Sequence, residues 1–97
     1  MIPQFRISTH PGKILLHEYL EPIGISQKRL SEYLNIPIQR INEIVNGKRG
    51  ITVSTAWLFS EAFQTTPEFW MNLQIQHDLS KNKPTKTIEP IVNVLIE

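Results

Sequence analysis

The chain has 97 residues, 40% of them hydrophobic, a formal net charge of +1 and no cysteine. That length is enough for one soluble domain with its own core. It holds no run near the ~20 apolar residues of a membrane span, no disulfide framework and no thiolate metal site. The opening MIPQFRISTHPG lacks the apolar stretch of an export signal, so a cytoplasmic location is expected.

Helical periodicity dominates residues 11–80. Pro11 suits a first helical position, where its missing N–H is no loss. Leu16, Tyr19 and Leu20 follow as an apolar stripe, and Pro22 and Gly24 close the segment. Ser26 is a good N-cap for a second helix with Leu30 and Leu34 on one face, and Asn35 can end it. Pro37 can open a third helix, striped by Ile38, Ile41, Ile44 and Val45, with Gly47 at the position that needs positive φ. Thr52 or Ser54 caps a fourth helix through Leu58, Phe59, Ala62 and Phe63. Thr66-Pro67-Glu68 reads as cap, first position and dipole-favoured acid of a fifth, which runs through Phe69, Trp70 and Leu73 and fades near Ser80.

Both ends read differently. Residues 1–9 form an extension and 81–97 a polar linker followed by an apolar tail, leaving 10–80 as the domain. The tail, IEPIVNVLIE, is β-branched and strand-like, with Val92, Val94 and Ile96 on one face and Ile91 and Leu95 on the other. IPQFRI at the start could pair with it. The expected fold is therefore all-α, five helices, with short terminal strands as an addition.

Charge is unevenly placed. Residues 26–50 carry Lys28, Arg29, Arg40, Lys48 and Arg49 against Glu32 and Glu43, a net +3, whereas residues 51–97 sum to −2. A basic patch is the footprint a phosphate backbone selects. It coincides with two apolar-striped helices joined across only a few residues, the outline of a helix-turn-helix, whose second helix enters the DNA major groove. The outer face of that helix carries Gln39, Arg40, Asn42 and Asn46. Asn and Gln pair bidentately with adenine and Arg with guanine, so amides are better base readers than solubilising groups. Ile38 could touch a thymine methyl. Gln27 and Lys28 open the preceding helix, where an amide, a cation and free N–H groups suit phosphate. Lys48 and Arg49 follow the reading helix as phosphate grips. Arg40 could reach DNA, or fold back onto Glu43 or Glu32. The competing reading is an ordinary helical hairpin with polar outer residues.

Other chemistry is thin. His10, His17 and His77 have no metal-ligand spacing, and His10 and His17 suit surface or cap roles. No Gly-rich phosphate loop or nucleophile elbow occurs, so no catalytic residue, cofactor or metal is expected. Trp57 and Trp70 sit in apolar stripes and fit core or interface packing better than base stacking.

The stretch HPGKILLHEYLEPIGISQKRLSEYLNIPIQRINEIVNGKRGIT, followed by STAW and PEFWMNLQIQHDL, resembles the HigA/VapI-type antitoxins of bacterial toxin–antitoxin modules, within the Xre/λ-repressor-like class. The match spans residues 10–79. It implies a dimer that binds a palindromic operator, represses its own operon and neutralises a HigB-like mRNA-cleaving toxin. By position, Gln27, Ile38, Gln39, Arg40 and Asn42 fall on the DNA-facing places of the motif. Departures lie in the fourth helix, where Leu58 replaces a basic residue and Gln64 stands where glycine is common. The alternatives are a stand-alone regulator without a toxin, and an interaction module that no longer binds DNA.

Overall fold

A computed structural model describes residues 7–95. It contains six helices among those residues and no strand. The first, α1, is continuous through Pro11–Ile14, a π-helical turn Leu15–Leu20, and Glu21–Ile23. Then come α2 (Gln27–Leu34), α3 (Ile38–Val45), α4 (Val53–Phe63), α5 (Pro67–Lys81) and α6 (Ile91–Leu95).

The caps follow local chemistry. The side chains of Ser26, Thr52 and Thr66 accept hydrogen bonds from the backbone N–H of Arg29, Thr55 and Phe69, and Pro67 takes the first position of α5. His10 caps α1, its Nδ1 accepting from Gly12 N–H at 2.9 Å. Pro37 lies one residue before α3 as its N-cap. Gly24 and Gly47 end helices at φ 79° and 74°. Asn35 and Gln64 take the same left-handed role at φ 56° and 54°, a conformation that costs a side-chain-bearing residue about 1 kcal/mol more than glycine.

The π turn corrects the expected stripe of α1. Leu15 and Leu20, five residues apart, are both fully buried, while Leu16 and Tyr19 are half-buried. A regular α-helix would place residues five apart on divergent faces. The wider turn, in which Glu21 N–H donates to Leu16 O, brings them together. It also precedes Pro22, whose ring would crowd the Glu18 carbonyl in an unbroken α-helix.

Leu15, Leu20, Leu30, Ile41, Ile44, Ile51, Ala56, Phe59 and Trp70 form the core. Trp70 is wholly buried and packs edge-on against Phe59 and Phe69, with centroids 5.2 and 5.1 Å away. Its indole N–H donates to Thr65 Oγ1 at 2.7 Å, so the ring's single donor is satisfied. Trp57, by contrast, is 54% exposed and stands outside the core. Gln74 is a buried amide whose Oε1 accepts from Ile51 N–H at 2.7 Å while its Nε2 donates to Asp78. It ties α5 to the start of α4. Gly12 lets α1 lie directly on α3: a Cβ there would sit 1.8 Å from the Ile44 carbonyl oxygen.

The expected C-terminal strand is a short helix, α6. A strand needs a partner edge for its backbone bonds, and none is present among the described residues, whereas a helix closes its bonds within itself. All of α6 is exposed. The strand suggested for residues 2–7 lies, apart from Ile7, outside the described residues. No helix among the described residues is long and apolar enough to cross a membrane.

Candidate nucleic-acid interface

The turn between α2 and α3 is set by Asn35. Its left-handed backbone lets Ile36 N–H donate to Ser31 O at 3.0 Å, closing α2 and sending the chain across to Pro37. Leu30, Ile41 and Ile44 lock the two helices together beneath this turn. At the far end of α3, Gly47 and Lys48 donate to the carbonyls of Ile44 and Glu43 at 3.1 and 2.8 Å, a Schellman closure. The helix is thereby fixed at both ends, with its buried side held by α1 and α2.

Its outer side carries the residues expected from sequence. Ile38 is 47% exposed. Gln39, Asn42, Asn46, Lys48 and Lys28 are exposed, and Gln27 is half-buried at the first turn of α2. The structure joins three of these amides in a chain: Asn46 Nδ2 donates to Asn42 Oδ1 at 3.1 Å, and Asn42 Nδ2 donates to Gln27 Oε1 at 3.3 Å. Gln39 stands apart from this chain. It lines an open hollow of about 310 Å3 with Pro37, Arg40, Glu43 and Arg49.

The basic residues divide. Arg40 pairs with neither Glu43 nor Glu32 among the described residues. Arg49 takes Glu43 instead, with Nε and Nη2 both 3.0 Å from the same Oε1. Glu43 thus clasps Arg49, one of the expected phosphate grips, back onto the protein, and Lys48 is left exposed. No shared-face spacing connects positions 43 and 49. They meet because the Gly47 turn reverses the chain, a contact that sequence periodicity does not carry. The amide chain had a signal in part, since Asn42 and Asn46 are four apart on a helix. The Gln27 link did not, because it spans two elements.

Behind α3, His10 completes the frame. Its ring stands edge-on to His77 at 4.8 Å and lies 3.9 Å from where a Cβ on Gly47 would sit. His77 in turn bonds the Ser8 carbonyl through Nδ1 at 2.7 Å. Burial, with the neighbouring His77 and Lys81 and against the opposing pull of Asp78, lowers the His10 pKa below the usual histidine value. The neutral ring is the form that can accept from Gly12. Among the described residues no cluster of three or more His, Asp or Glu could hold a metal ion.

The chain matches the helix-turn-helix family over residues 16–70. It is 39% identical over 87 residues to virulence-associated protein I of Dichelobacter nodosus, covering 90% of this chain and 78% of that one. It is 37% identical over 68 residues to antitoxin HigA-1 of Vibrio cholerae, covering 70% of this chain and 64% of that protein. Among solved structures, Pseudomonas aeruginosa antitoxin HigA with the higBA promoter superposes at a TM-score of 0.79 and 34% identity, over 86% of this chain and 97% of that one. A shared fold, shared sequence and the same paired-helix core lead to one conclusion: this chain belongs to the helix-turn-helix family, among its HigA/VapI-type antitoxins.

Proposed function

We propose that this protein is a sequence-specific DNA-binding antitoxin that represses its own operon and neutralises a HigB-like, mRNA-cleaving toxin. The observation that carries the DNA half is the outward side of α3, where Gln39, Asn42 and Asn46 are exposed beside Ile38, with Lys28 and Lys48 at the flanks. The helix presents donors and acceptors to base edges, and the cations flank it where phosphates run. Relatives named as antitoxins, one of them solved with promoter DNA, support the regulatory half. On this reading the protein acts in the cytoplasm, as a regulator rather than an enzyme.

One subunit offers one reading helix, and two half-sites a helical turn apart, ~34 Å, need a two-fold pair. The surface we assign to that pairing is on α4 and α5, which pack against each other. Val53 and Trp57 on α4, and Ile75 and Leu79 on α5, are four apart in each helix and 48–70% exposed. Sedimentation at micromolar concentration should show a dimer that Trp57→Asp converts to monomer.

The test of the whole reading has two arms. Binding to the DNA upstream of its own gene should exceed binding to random duplex at moderate salt. Gln39→Ala should lose sequence preference at the base pair it faces. Lys48→Ala should weaken all duplexes alike and reduce the salt slope by about one. Expression with the adjacent reading frame should co-purify a small toxin. DNA binding without such a partner would support a stand-alone regulator instead.

A further inference from the structure

The three-amide chain assigns different tasks to residues that sequence reading groups together. A carboxamide has two N–H donors and two lone pairs on its oxygen. Asn42 spends one donor on Gln27 and one lone pair on Asn46. It keeps one donor and one lone pair, the complement of adenine N7 and N6–H in the major groove. An exposed Asn on a helix otherwise rotates freely and can present its oxygen and nitrogen either way round. Here both atoms are held: the nitrogen donates to the Gln27 oxygen on α2 and the oxygen accepts from the Asn46 nitrogen one turn along α3. The arrangement holds the rotamer before DNA arrives, which removes an ordering cost from recognition.

We propose that Asn42 is an adenine reader of this protein, and that Gln27 and Asn46 are positioning residues that hold its amide in place for reading. Gln27 acts through Asn42, and its contribution to base preference is separable from any contact its own Nε2 makes with phosphate. The inference rests on the DNA-binding reading above and goes beyond it in naming the base pair class and the division of labour.

The experiment measures binding of the folded full chain to a panel of duplexes derived from its upstream operator, with each base pair changed in turn. Circular dichroism melts accompany every variant. Asn42→Ala should lose preference at one A·T position, by about tenfold or more. Gln27→Ala and Asn46→Ala should lose preference at that same position. The double variant Gln27→Ala with Asn42→Ala should lose no more preference there than Asn42→Ala alone. Gln27→Glu is the decisive comparison: it keeps an acceptor for Asn42 while giving up the amide donor and adding a negative charge. It should bind all duplexes more weakly yet retain the A·T preference that Gln27→Ala loses.

The proposal is overturned if Gln27→Ala weakens every duplex equally with the preference intact, which makes Gln27 a plain phosphate contact. It is equally overturned if Gln27→Glu loses the preference too, or if Asn42→Ala changes preference at a G·C pair. Those results leave the DNA-binding function standing. Wild-type protein that binds no duplex in preference to random sequence would sink both together.

Discussion

Gly12→Ala is a substitution whose sign reverses the ordinary expectation. Inside a helix, replacing Gly by Ala normally stabilises by about 1 kcal/mol. At this position the new methyl carbon would stand 1.8 Å from the Ile44 carbonyl oxygen and 2.7 Å from its carbon, both backbone atoms that no rotamer change can remove. Restoring an ordinary contact of about 3.4 Å requires α1 to move off α3 by about 1.6 Å, which opens the seam between Leu15, Ile41 and Ile44. Overpacking of this kind costs about 3 kcal/mol, enough to swamp the propensity gain. For a domain of this length that corresponds to a fall of roughly 12–24 °C in melting temperature. Thermal melts followed by circular dichroism read it directly. Gly24→Ala is the control: its φ is 79° with nothing within 4 Å, so it bears only the backbone cost of about 1 kcal/mol. A Gly12→Ala protein that melts at or above the wild-type temperature would refute the close-approach reasoning.

Three further outcomes follow from the same geometry. Gln64→Gly should stabilise by about 0.5–1 kcal/mol in urea unfolding, because the residue sits at φ 54° with its left-handed strain unrelieved. Glu43→Gln releases Arg49 and removes an acid from α3 itself, so affinity for random-sequence duplex should rise about two- to fivefold at low salt; unchanged affinity would mean that Arg49 lies away from the backbone path. His10 is lowered in pKa by burial first and then by His77 and Lys81, so the folded state resists a proton that the unfolded chain accepts. The stability it confers is complete above the ordinary histidine value and is lost as pH falls through the lowered one. Urea midpoints at pH 7.5 and pH 5.0 should therefore differ more for wild type than for His10→Asn, which keeps a capping oxygen without titrating there.

The parts of this molecule legible in its sequence are those decided within a few residues. Ser26, Thr52 and Thr66 cap because their side-chain oxygens reach N–H groups three residues on, and Gly24 and Gly47 end helices because φ must turn positive there. The exposed amides of α3 were legible for the same reason, since helical spacing fixes which side they share. Features that depend on distant partners were not. The π turn in α1 answers a demand from the core that Leu15 and Leu20 both satisfy, and Gln74 finds Ile51 across 23 residues. The tail was misread because β-branched composition signals strand only where an edge exists to pair with. Arg49, expected as a phosphate grip, rather than Arg40 meets Glu43 because the Gly47 turn, not helix periodicity, decides which guanidinium reaches that acid.

Everything functional depends on the amide side of α3 meeting DNA. The most direct test is a titration of isotopically labelled protein with its own upstream duplex, following side-chain NH2 resonances. Those of Gln27, Gln39, Asn42 and Asn46 should shift at stoichiometric DNA, while those of Asn72 and Gln76, exposed on α5, stay in place. Shifts confined to α5 or to the tail, with the α3 amides unmoved, would contradict the assignment.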